Sequence, residues 1–94
     1  MVTQERCWEV YTEEVKNRLK RLEGQVRGIL RMMEEEKHCK EVVSQLAAVR
    51  NAADRAIATI VAANLEKCIV EERDAGGDTS KLVKEAIELL VKSR

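Results

Sequence analysis

The sequence predicts an all-α protein built from three helices. Three observations carry this. The 94 residues include no proline and no phenylalanine, and most are Ala, Leu, Val, Glu, Lys or Arg, which favour helix over strand. Apolar positions recur at spacings of three and four through most of the chain, the period of a helix with one buried face. A Gly-Gly pair inside "DAGGDTS" (74–80) interrupts that period late in the sequence, where a turn between helices belongs.

The first helix is marked by Val15, Leu19, Leu22, Val26, Ile29 and Met33, whose spacings alternate four and three. Glu13 and Glu14 suit its positive N-terminus, whereas "EEEK" at 34–37 loads its negative C-terminus with acid and predicts a stop near Lys37–His38. Gly24 and Gly28 lower its propensity and suggest that another backbone comes close to it. The second helix runs from about Cys39 to Arg73, with apolar positions at 39, 42/43, 46, 49, 53, 56/57, 60 and 68 and Asn64 as the polar member of the series. At 1.5 Å per residue its length is ~52 Å, too long for a compact monomer of this size, so it needs partners from other chains. Asp78, Thr79 and Ser80 offer caps for a last helix over 80–92, which buries Leu82, Val83, Ala86, Leu89 and Leu90. Residues 1–12 read as a tail and 13–94 as one domain, with no internal repeats.

Charge narrows function only a little. Seventeen basic residues balance seventeen acidic ones, which gives no bulk preference for nucleic acid or membrane. No apolar run approaches the ~18 residues of a membrane span, and "MVTQERCWEV" lacks the apolar core of a signal peptide. The expected location is therefore cytoplasmic. There, three cysteines suit reduced, metal-binding or redox-active thiols better than a structural disulfide framework.

Cys39, Asn64 and Cys68 fall within about 40° of one another around the second helix, on its apolar face. The two cysteines are nevertheless ~43 Å apart along the axis, so within one chain they cannot meet. An antiparallel pair of these helices brings Cys39 of one chain beside Asn64 and Cys68 of the other, twice over by two-fold symmetry. The pattern admits a second reading, in which each cysteine is only a small core residue.

"KNRLKRLEGQVRGILR" at 16–31 holds six basic residues and one acid. Lys16, Lys20, Arg27 and Arg31 share one stripe, about 130° from the centre of the apolar seam. Arg18 and Arg21 flank the seam on its other side, and Arg55 of the second helix points nearly opposite the cysteine face. This suits a phosphate-binding surface. It equally suits a solvated face neutralised by neighbouring glutamates.

Taken together, "RLKRLEGQVRGILRMMEEEKHCKEVVSQLAAVRNA", "NLEKC" and the terminal "AIELLVKSR" resemble the CsoR/RcnR family of bacterial transcriptional repressors. The resemblance covers almost the whole chain after the first dozen residues. It implies three helices per chain, antiparallel dimers forming four-helix bundles, and dimers pairing into a disc-shaped tetramer. Copper-sensing members place Cys, His and Cys at the positions of Cys39, Asn64 and Cys68, so the cysteines match and the histidine does not. A neutral amide is a poor ligand for a soft metal. Nickel-type members need further imidazoles, and His38 is the only histidine here, beside the first ligand position and in a supporting role at most.

The Cys–Asn–Cys pattern looks instead like the persulfide-sensing CstR branch. In that branch the two cysteines react with persulfide or polysulfide and become linked between subunits. Such chemistry suits two thiols, since one thiolate attacks sulfane sulfur and the resulting persulfide is attacked by the other. Asn64 is expected to orient or hydrogen-bond a sulfur. The family's DNA contacts carry over to Arg18 and Arg55; the stripe adds Lys20, Arg21 and Arg31. Cys7 lies near where some relatives carry a reactive or ligating residue, and it reads either as a third sulfur participant or, the favoured reading, as an exposed thiol beside Trp8.

The resulting expectation is a cytoplasmic homo-oligomeric repressor of operator DNA with no cofactor and no metal, released by reactive sulfur species at Cys39 and Cys68. A Cu(I) sensor using the same two thiolates is the alternative within the family. Outside it stand a small thiol enzyme, for which no base or cofactor motif is visible, and a purely structural helical oligomer.

Overall fold

The computed structural model describes residues 8–92. Three helices follow one another: α1 (Glu13–Glu34), α2 (Cys39–Asp74) and α3 (Ser80–Lys92). No strand occurs among the described residues, and no helix among them is long and apolar enough to cross a membrane.

Each boundary has a local cause. At the start of α1 the Thr12 hydroxyl accepts the Val15 N–H at 3.2 Å, and Glu13 and Glu14 occupy the first turn, where a carboxylate is favoured by the exposed N–H groups. The helix ends at Glu34, earlier than the stop expected near Lys37–His38. Glu36 adopts a left-handed backbone, φ 58°, and the N–H groups of Glu36 and Lys37 fold back to the carbonyls of Met33 and Met32 at 3.1 and 3.0 Å. This closure usually carries glycine at its left-handed position; a glutamate there gives little sequence signal.

His38 then caps α2. Its Nδ1 accepts the Lys40 N–H at 3.1 Å, and its carbonyl accepts from Glu41 and Val42 at 3.0 and 3.3 Å. The far end of α2 closes in the same way as α1, with Gly76 at φ +80° and the Gly77 N–H reaching back to the Glu72 carbonyl at 2.8 Å. Here the glycine is present, and the boundary is legible. Thr79 receives the first backbone bonds of α3, from Leu82 and Val83, while Asp78 accepts both the N–H and the hydroxyl of Ser80 at 3.0 Å. Those bonds hold the Asp78 carboxyl below its ordinary pKa. Its contribution to the α3 terminus is therefore present above the unfolded carboxylate pKa and is lost as pH falls through the lowered one.

The described residues fall into two compact units whose border lies within α2. In the unit Thr12–Ala56 the buried side chains are Val15, Ile29, Val42 and Ala56. The other unit joins Ile57 onward to the segment before Thr12, and it buries Val61, Asn64, Cys68, Leu82 and Ala86. Of the residues expected inside, Leu19, Val26, Met33, Val43, Leu46, Val83, Leu89 and Leu90 are exposed, with Met33 at 50%. The period identifies an apolar face but not what covers it, and one chain supplies too few helices to cover both sides of each. Gly24 and Gly28 likewise meet nothing within 4 Å, so among the described residues no backbone approaches them as the sequence suggested.

Glu36→Gly removes the left-handed strain and should raise stability by about 1 kcal/mol. In thermal unfolding followed by circular dichroism this appears as a higher Tm; a lowered Tm contradicts the strain assignment. Gly24→Ala should also stabilise, by up to about 1 kcal/mol, and a loss of stability in the oligomer would mean that another chain packs onto that glycine.

Candidate functional site

The chain carries two constellations, one of sulfur and amide groups and one of cations. Cys39 is the first residue of α2, exposed and a free thiol. Cys68 lies near the other end of the same helix at 1% exposure, packed with Leu82 against Trp8, Leu65 and Ile69. The structure thus does not bring the two cysteines into one environment within a chain, in keeping with the helical spacing. Cys68 is disulfide-bonded, and since Cys39 is free the bond is not between these two. The expectation of reduced thiols is corrected here for Cys68. Three cysteines are too few for a framework of several disulfides, but they do not forbid a single bond. Cys7 lies outside the described residues.

Asn64 is also 1% exposed, and a buried amide must find partners for its donors and acceptor. Its Oδ1 accepts the Val10 N–H at 2.7 Å. Its Nδ2 donates to the Val10 carbonyl at 2.9 Å and to the Ile60 carbonyl, one turn earlier in α2, at 2.7 Å. Both amide hydrogens are committed to carbonyls, which leaves none for a sulfur. Oδ1 is occupied too, so the residue does not present itself as a metal ligand. His38, one residue before Cys39, is the cap of α2, with its Nδ1 turned to the backbone. Among the described residues no three His, Cys, Asp or Glu side chains gather closely enough to hold a metal ion.

The cationic constellation lies within the unit Thr12–Ala56. Arg18, Arg21, Leu22 and Gln25 of α1 and Ala52 and Arg55 of α2 line one concavity of about 360 Å³. Spacings of three and four put the α1 residues on one face, and Ala52 is small enough to leave the hollow open. Arg18 touches Glu14 at 3.5 Å, but its Nε is buried and has no hydrogen-bond acceptor. An unsatisfied, charge-assisted donor in a hollow shared by three guanidinium groups is suited to an anion with several oxygens. Lys20 and Arg31 are exposed and outside this hollow. On the stripe itself, Lys16 pairs with Glu13 at 3.4 Å and Arg27 with Glu23 at 4.0 Å, so neighbouring glutamates neutralise part of that face. Exposed pairs of this kind contribute little to stability.

Several participants carry no sequence signal. Trp8 donates from its indole N–H to Glu85 at 3.2 Å across 77 positions, and Val10 meets Asn64 across 54. No local pattern announces contacts at such separation. Gln25 was legible in principle, one turn beyond Arg21 on the same face.

A family model described as a metal-sensitive transcriptional repressor matches residues 11–92. The uncharacterised protein YrkD of Bacillus subtilis (strain 168) is 62% identical over 63 residues, 67% of this chain and all of that one. The copper-sensing transcriptional repressor RicR of Mycobacterium tuberculosis (strain ATCC 25618 / H37Rv) is 40% identical over 70 residues, 71% of this chain and 73% of RicR. The copper-sensing transcriptional repressor CsoR of Bacillus subtilis (strain 168) is 30% identical over 80 residues, 85% and 78% of the two chains. No solved structure matches.

In reduced protein, iodoacetamide should modify Cys39 before Cys68, because only the former is open to solvent. Peptide mapping of a time course reads the order; equal rates would show that the burial of Cys68 is not maintained in solution.

Proposed function

The chain belongs to the family of metal-sensitive transcriptional repressors, and on that premise we propose that it holds operator DNA through the arginine hollow and releases it when Cys39 and Cys68 of different subunits react with persulfide or polysulfide. The observation that carries the sulfur reading is Asn64. A carboxamide with both hydrogens bonded to carbonyls stands where copper sensing wants an imidazole, while the two sulfurs are retained.

Once a dithiol reductant has opened the Cys68 disulfide by exchange, being itself oxidised to a disulfide, the chemistry balances without a cofactor. The exposed Cys39 thiolate attacks the outer sulfur of a persulfide RSSH; the S–S bond breaks, RS⁻ leaves, and Cys39 becomes a persulfide. The Cys68 thiolate of a second subunit then attacks the Cys39 sulfur, which forms an interchain disulfide and expels HS⁻. If both cysteines are persulfidated first, loss of one H₂S leaves a trisulfide. Either product is a covalent tie between subunits.

The exposed apolar residues Leu19, Val26, Leu30 and Met33 of α1 and Val43 and Leu46 of α2 supply the surface for pairing chains. An antiparallel dimer, and a dimer of dimers, cover such faces and bring the two cysteines together. On DNA, Arg18, Arg21 and Arg55 meet phosphate oxygens, with Lys20 and Arg31 adding long-range attraction. The interchain tie then favours an assembly that fits DNA less well, a coupling between two separate sites. Family membership favours this repressor over a thiol enzyme.

A second reading rests on the relatives. RicR and CsoR are named copper sensors, and two thiolates suffice for linear Cu(I). The two readings separate in one experiment. Reduced protein is treated with polysulfide or with Cu(I), and intact mass and operator affinity are recorded. The sulfur reading predicts an interchain product heavier by whole sulfur atoms or lighter by two hydrogens, together with lost DNA binding; tight Cu(I) binding that releases DNA, with no response to polysulfide, overturns it. For the DNA surface, Arg18→Ala should weaken operator binding and lower the slope of log affinity against log salt by about one. An unchanged slope removes Arg18 from the phosphate contacts.

A further inference from the structure

The segment Trp8–Tyr11 lies outside the helices, yet it is tied down at two points, both within one compact unit. The Val10 peptide gives its N–H to Asn64 Oδ1 and takes a hydrogen from Asn64 Nδ2. This is a two-bond ring of the kind paired strands make, here between a peptide and a side chain. Two residues earlier, Trp8 bonds Glu85 of α3 through its indole N–H and rests its apolar body on Cys68 and Leu82. Asn64 and Cys68 are one helical turn apart on α2, so the residue that anchors the segment stands beside the sulfur that the segment covers.

We propose that Trp8–Tyr11 is a strap held over Cys68 by the Asn64 carboxamide, and that lifting this strap sets the rate at which Cys68 enters thiol exchange. Asn64 is then a positioning residue: it touches no sulfur, and acts by closing the strap. Side-chain chemistry supports the choice of asparagine. A carboxamide offers a donor and an acceptor on one edge, side by side, and so matches both groups of one peptide; the two nitrogens of an imidazole point away from each other and cannot do so. A histidine at position 64 gives up one strap bond at least. The Val10 ring and the Ile60 bond together satisfy the buried amide, so strap release leaves Oδ1 and one N–H of Asn64 without partners until water or another ligand reaches them. That cost favours the closed strap. Cys39, at the other end of α2 and exposed, has no such cover. The order of reaction proposed above, Cys39 first and Cys68 second, is the order this arrangement imposes.

The inference rests on the sensing reading for the importance of Cys68, but its test needs neither DNA nor a sulfur donor. In a Cys7→Ser background, reduced protein is treated with iodoacetamide, and the ratio of Cys68 to Cys39 modification is followed by mass spectrometry. Cys39 is the internal reference in every sample. Asn64→Ala and Asn64→His should each raise that ratio roughly tenfold or more, the factor that corresponds to about 1.4 kcal/mol of lost hydrogen bonding. Trp8→Ala should raise it as well. Trp8 is the one tryptophan of the chain, so its emission should shift to the red in the two Asn64 variants as the indole leaves its seat, with helical circular dichroism unchanged. If the Asn64 variants lose helicity, Trp8→Ala, which alters no helix, decides alone. An unchanged ratio in a folded variant overturns the strap. Failure of the polysulfide experiment with a raised ratio here would leave the strap standing and remove only its sulfur-sensing purpose.

Discussion

The unit that contains Cys68 is organised around one buried carboxamide. An amide removed from water without partners costs several kcal/mol, of order 2–7 depending on the reference state, so the chain around Asn64 must come to it. The Ile60 carbonyl is brought by α2 itself and the Val10 peptide by the segment that precedes α1. Once Val10 is fixed, Trp8 two residues earlier reaches both Glu85 and the Cys68–Leu82 cluster. The seat of the tryptophan over Cys68 and its bond to α3 near the middle of that helix are consistent with that requirement. The buried amide thus serves the backbone.

The unit Thr12–Ala56 follows a different logic, in which what is left uncovered matters most. Its apolar seam buries Val15 and Ile29 but leaves Leu19, Val26 and Met33 exposed, and its arginines share a hollow in which the Arg18 Nε has no acceptor. A seam without a cover and a donor without an acceptor are both unfinished in a single chain. A second copy suits the seam and a polyanion suits the hollow. For a repressor of this family these are the two associations that matter.

Much of this was legible in the sequence, and what was not has physical reasons. Helix existence and the span of α2 and α3 follow from period and from punctuation, because Gly76 is the residue that a left-handed closure favours. The same closure after α1 uses Glu36, which nothing in its identity announces, and the boundary is misjudged by a few residues. Arg18, Arg21 and Arg55 each carry a signal of their own in the sequence; their meeting in one hollow depends on the packing of α1 with the first half of α2, which a helical wheel does not contain. Asn64 stands out in the sequence as a polar residue in an apolar series, but its three hydrogen bonds include two to a residue 54 positions away. The oxidation of Cys68 is likewise invisible to composition.

The central claim is that the reactive pair is divided between chains, and mixing two single variants tests it most directly. In a Cys7→Ser background, Cys39→Ser and Cys68→Ser chains are unfolded together, refolded and treated with polysulfide. The account predicts no covalent dimer from either variant alone at low polysulfide, and one from the mixture, joining Cys39 of the second chain to Cys68 of the first. A mixture that yields no interchain product, beside a parent protein that responds to polysulfide, would contradict it.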